Sequence, residues 1–126
     1  MAIVYSTATK NARLDAVTAQ IDLGAGAGKL EIGTAGMATV LATITLSDPA
    51  AAAAAGGVLS LSGFPKSDTS ADASGLAAAA RIRDSNNNDV ITGLTVGTSG
   101  TDVILDNTSI NATQTVTINS VVITHA

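Results

Sequence analysis

The apolar residues of this chain change their period once, and that change limits what the chain can build. Through "STATKNARLDAVTAQIDLG" Leu14, Val17 and Ile21 fall three and four apart, the spacing of one stripe on a helix. Ser6 or Thr7 is suited to cap the start. Asp22 and Gly24 are suited to end it, because glycine takes the left-handed turn after a last helical residue without steric cost. Lys10, Arg13, Asp15 and Gln20 fall on the opposite side, which predicts a helix lying on a surface with one face buried. After Gly28 the pattern alternates. "KLEIG" sets Leu30 and Ile32 against Lys29 and Glu31, the mark of a half-buried strand.

The alternation persists to the end of the chain. "ATVLATITL" sets Val40, Ala42, Ile44 and Leu46 against Leu41, Thr43 and Thr45, and "VLSLSG" alternates Leu59 and Leu61 with serines. "LAAAARIR" sets Leu76, Ala78, Ala80 and Ile82 against Arg81 and Arg83. "VITG", "LTVG" and "DVILD" are short strand candidates, each ended by Gly or Asp. In the closing "QTVTINSVVITH", Val116 and Ile118 share a face while Val121 and Ile123 take the other parity, so a β-bulge is predicted near Asn119 and Ser120. Strands that follow one another without intervening helices argue against a parallel α/β sheet. The predicted fold is mostly β: an antiparallel β-sandwich or jelly-roll-like domain with one N-terminal α-helix. A length of 126 residues suits a single domain over 1–126, with 1–24 as arm and helix and 29–126 as the sandwich. The alanines from Ala50 to Ala55 follow "SDP" and admit either a brief helical turn or a close-packed loop.

The apolar residues are mostly Ala, Ile, Leu and Val, and Tyr5 and Phe64 are the only aromatics. A core of this kind is thin, which leads to the expectation that a partner or identical subunits finish some of the apolar surface. The formal charge of −4 supplies no basic field to gather nucleic acid or an anionic membrane. With no cysteine, disulfides and thiolate metal sites are excluded. The apolar run after Met1 is too short for a signal peptide's central region, so secretion by that route is not expected. "PAAAAAAGGVLSL" is broken well before the ~20 residues of a membrane span.

Motifs that carry chemistry fail at decisive positions. In "LGAGAGKLEIG" Gly24, Gly26 and Gly28 are spaced two apart and stand after a helix and before a strand. A dinucleotide loop needs the reverse order, with the helix N-terminus facing the phosphates. A P-loop fails as well, with Leu23 in place of its first glycine and Leu30 after Lys29 where Ser or Thr would hold magnesium. The stretch therefore reads as a flexible connection, a joint on which the helix could swing onto a neighbouring subunit. "DSNNNDVITGLT" starts like a calcium loop but has Asp89 where glycine is needed and Thr95 where a bidentate Glu is needed. A polar turn is favoured there, with Asp84 and Asp89 left as a weaker calcium alternative. For acid–base work the chain offers His125 next to its end, Glu31 on an outward strand face, and Asp68 and Asp72 in a Ser-rich loop. No G-x-S-x-G elbow occurs. The expectation is no enzyme, with no catalytic, cofactor-binding or metal-ligating residues. Arg81 and Arg83 point the same way from one strand, which suits either gripping an acidic partner or solvating an exposed face.

The order of features from "YSTATKNARLDAVTAQID" through "GKLEIGTAG", "LATITLSDPA", "VLSLSG" and "ADASGLAAAARIRDSNNNDVITGLTVG" to "TVTINSVVITHA" resembles the small cement or decoration proteins of tailed-bacteriophage heads. The resemblance spans essentially the whole chain; "LAAAARIR" departs from it where a bulky aromatic would be expected. It implies a virion structural protein on the outer capsid surface, made in the host cytoplasm, that bridges major capsid protein subunits and reinforces the shell as a homo-oligomer, a dimer or trimer. No nucleic acid, membrane or cofactor would be involved. Tyr5, Lys10 and Arg13 are the expected capsid contacts, with Arg81 and Arg83 as further candidates. The alternative from another class is a tail or head-fibre module that recognises a host-surface glycan, which would need an aromatic platform or clustered acids.

Overall fold

The computed structural model describes residues 3–124. Helix α1 spans Thr7–Ile21, with Ser6 as its cap, whose Oγ accepts the Thr9 N–H. The strands are β1 (Lys29–Gly33), β2 (Val40–Thr45), β3 (Val58–Ser60), β4 (Lys66–Asp68), β5 (Gly75–Leu76), β6 (Ala79–Arg83), β7 (Asp89–Leu94), β8 (Val96–Gly97), β9 (Val103–Leu105), β10 (Ser109–Ile110) and β11 (Val116–Thr124). One sheet has the order β2-β1-β6-β7. The other has the order β3-β11-β9-β8, with β4 also on β11, and β5 pairs with β10 apart from both. All pairings are antiparallel except β8 with β9. This is the β-rich sandwich with an N-terminal helix that the alternation predicts.

The core is built almost without rings. Leu30, Ile32 and Ile82 from one sheet and Leu59, Leu105, Ile118 and Val121 from the other are buried, while Phe64 is only partly covered. The β11 bulge falls where the parity change places it. Ile118 pairs with Leu105 and Ser120 with Ile104, so Asn119 is skipped, and both Ile118 and Val121 reach the core.

Helix α1 is fastened to the sandwich along its length. Leu14 and Ile21 are buried and Val17 packs beside them. On the flank of that stripe Asn11 Oδ1 accepts the Gly57 N–H (2.9 Å), Asp15 Oδ1 the Ala54 N–H (2.8 Å) and Asp22 Oδ1 the Ala50 N–H (3.0 Å). These side chains run up the helix while their donors run down the alanine segment. The segment is thus the close-packed loop and not a helical turn, because backbone donors a helix would use internally are given to α1. The expected swinging joint is corrected by the same contacts: the helix is pinned to its own sandwich at both ends.

Three strand assignments are also corrected. "LAAAARIR" is not one alternating strand: β5 pairs with β10, β6 pairs with β1, and the chain changes partners at Ala77 and Ala78. The parity slips there, so Leu76 is 63% exposed and Ala77 takes the buried position. "VITG" and the start of "LTVG" form one strand, β7, because Gly93 at φ 74° is absorbed in the bulged pairing with β6. Asp68 is not in a loop but ends β4.

Candidate functional site

The structure brings Tyr5 and Arg13 together at the leading end of α1. The chain enters the helix extended, with Ser6 at ψ 157°, and the Arg13 guanidinium lies 4.5 Å from the centroid of the Tyr5 ring. A cation over a ring at that distance is favourable by about 0.5–1 kcal/mol at an exposed site. The expected outward placement of Lys10 is corrected: it is half-buried, its aliphatic stem against Gly57, whose N–H Asn11 also holds. Ahead of Tyr5 the arm carries uncovered apolar surface, with Ile3 77% and Val4 84% exposed. Leu23 and Leu76 are also exposed, but singly, whereas Ile3 and Val4 are consecutive.

Arg81 and Arg83 are placed differently. They share a face of β6, as the alternation predicts, but Glu31 stands directly opposite Arg81 in the β1–β6 register. Arg81 Nε donates to Glu31 Oε1 at 2.5 Å, and Arg83 Nε donates to Asp89 Oδ1 at 2.7 Å while lying 3.6 Å from Glu31 Oε1. Lys29 Nζ donates to Asn87 Oδ1 at 3.0 Å. The outward face of β1, β6 and β7 is therefore a closed ladder whose cations are answered by the sheet's own acceptors.

Asp84 is the buried charged side chain of the described residues. Its Oδ1 accepts the N–H groups of Asn86 and Asn88, both at 2.9 Å, and its Oδ2 accepts from the Asn88 side chain. Asn87 turns the chain at φ 65°. This is an Asx-type turn, and it spends on the turn itself the oxygens that a calcium site would need. Asp89, the other acid of the calcium alternative, is held by Arg83. Among the described residues no three His, Cys, Asp or Glu side chains stand close enough together to hold a metal ion. His125 lies outside the described residues.

The Asp84 carboxyl is held below its ordinary value of 3.8 chiefly by the Asn88 N–H, against burial, which raises it. A depressed folded value means that the carboxylate stabilises the fold above the unfolded value of about 3.9 and that this contribution is lost as pH falls through the folded value. Asp84→Asn is expected to flatten the acid limb of the stability profile below about pH 4. Urea denaturation at a series of pH values measures it, and an unchanged acid slope contradicts the assignment.

A groove of about 380 Å³ opens between residues 43–45 of β2 and 66–69 at β4. It lies between β2, at the edge of one sheet, and β4, which pairs with β11 of the other. Asp68 Oδ2 accepts the Thr43 N–H across it, and Ser47 Oγ, just after β2, donates to the Ser62 carbonyl, ahead of β4. The sequence offered no sign of it, since "PKSDTSADASG" has the composition of a solvated loop.

In comparison with known proteins, the chain matches no family model, no curated protein and no solved structure. No helix among the described residues is long and apolar enough to cross a membrane.

Proposed function

We propose that the chain is a virion structural protein, a cement or decoration protein that binds the outer surface of a tailed-phage head and bridges major capsid protein subunits. The observation that carries the reading is the arm: Ile3 and Val4 stand exposed in front of a helix that is itself pinned to the domain. Apolar residues exposed beside a pinned helix are suited to fastening onto neighbours, because the element that presents them is already ordered. Tyr5, Lys10 and Arg13 form the contact end. Arg81 and Arg83, satisfied within their sheet, hold the domain's own strands together. Many copies, each held weakly, reinforce a shell by multivalency with no bond made or broken.

Reconstruction of the particle by cryo-EM tests the reading. Regular density over the head at joints between capsid subunits is expected, and density confined to the tail or the vertices overturns it. Particles lacking the protein are expected to lose heat resistance while still adsorbing to cells; loss of adsorption with intact heat resistance favours the glycan-binding alternative.

A further inference from the structure

We propose that the groove between β2 and β4 is a seat for a carboxylate side chain of a partner protein, with Lys66 as its cation. This site is separate from the N-terminal arm and does not depend on the capsid reading. Lys66 is paired in register with the buried Ile118, so its side chain leaves β4 on the core side of the strand and emerges along the seam between the sheets. It is half-buried, lines the groove, and among the described residues no carboxylate forms an ion pair with it. Its Nζ lies 5.9 Å from the centroid of the Phe64 ring. That is the outer limit of a cation–π contact and leaves the ammonium without a strong partner.

The other groups at the groove favour the same ligand. In the β1–β2 ladder the Leu46 N–H bonds to the Gly28 carbonyl, so by antiparallel alternation Thr43 and Thr45 turn their backbone groups away from β1. Thr43 gives its N–H to Asp68, which leaves the Thr45 N–H facing the seam, and Thr43, Thr45 and Thr69 line the groove. The nearby negative charge is Asp68, whose two oxygens are already turned onto the N–H groups of Thr43 and Ser70. A single ammonium beside an N–H donor, in a concavity lined by Ser and Thr residues and large enough for a side chain, matches an aspartate or glutamate presented by a neighbouring protein. A lysine pointing inward from an edge strand also discourages unwanted strand pairing, and that purely structural role predicts no preference for acidic ligands.

The test is an NMR titration of the full chain with a hexaglutamate peptide, using hexalysine as the control. Amide shifts are expected at residues 43–45 and 66–69, weakened at least about tenfold in apparent affinity by Lys66→Gln and largely kept by Lys66→Arg. Thermal melting of both variants close to the parent separates lost binding from lost folding. Shifts that fall only at Lys10 and Arg13, shifts undiminished by Lys66→Gln, or no shifts at all would each overturn the proposal.

Discussion

Ile82→Ala is expected to lower the unfolding free energy by about 2–5 kcal/mol, against about 0.5–1.5 kcal/mol for Ile82→Val. Ile82 is fully buried in β6, with Leu30 of β1 and Ile91 of β7 as its cross-strand neighbours. The loss is large because of what surrounds it. The sheets hold their neighbours at fixed spacing, and the buried side chains are aliphatics and alanines with no buried ring able to tilt into the space. Domains of this length are stable by about 6–19 kcal/mol, so one such cavity consumes a sizeable part of the whole. Urea denaturation checks it, with a lower midpoint at an unchanged slope. A cost for Ile82→Ala no greater than that of Ile82→Val would mean that the two sheets close over the cavity and that the sandwich is softer than its register implies.

Whether a feature was legible in the sequence followed from the range of the interaction that makes it. The β11 bulge was legible because strand parity is local: Val116 and Ile118 against Val121 and Ile123 cannot share a face without one extra residue. The helix was legible for the same reason, and of the two caps the sequence offered, Ser6 and Thr7, the structure uses Ser6. The Leu76 assignment failed because alternation carries no sign of a change of partner, and β5 takes its partner from Ser109–Ile110, far along the chain. Glu31 and Arg81 were both placed outward, yet their ion pair depends on β1 lying beside β6, which spacing does not encode. At the candidate contact end, Tyr5 and Arg13 were legible as a group because their approach is local, Tyr5 standing just ahead of the Ser6 cap and Arg13 in the first turns of α1. Lys66 was not, since its surroundings come from β2 and β11. The alanine loop was ambiguous because it owes its shape to Asn11, Asp15 and Asp22.

The glycines of "LGAGAGKLEIG" separate in the same way, and substituting them one at a time is expected to give opposite results. A methyl group on Gly28 would stand 2.6 Å from Ile21 Cγ2 and 2.9 Å from the carbonyl oxygens of both Ile21 and Arg83. Two of these three contacts are backbone, and the third is a fully buried side chain, so nothing there yields cheaply. Gly28 also accepts the Leu46 N–H through its own carbonyl, which ties it to the end of β2. Gly28→Ala is therefore expected to cost about 1–3 kcal/mol by overpacking. A methyl on Gly26 would meet only Ser85 Cβ, at 4.0 Å. Gly26→Ala removes freedom from the unfolded chain without a clash, so it is expected to be neutral or to stabilise by up to about 1 kcal/mol. Gly24, at φ 98°, is required for its turn after the helix. Melting of the two alanine variants side by side decides the matter. A swinging joint would accept alanine equally at Gly26 and Gly28, whereas a helix held against the first strand through Gly28 accepts it only at Gly26.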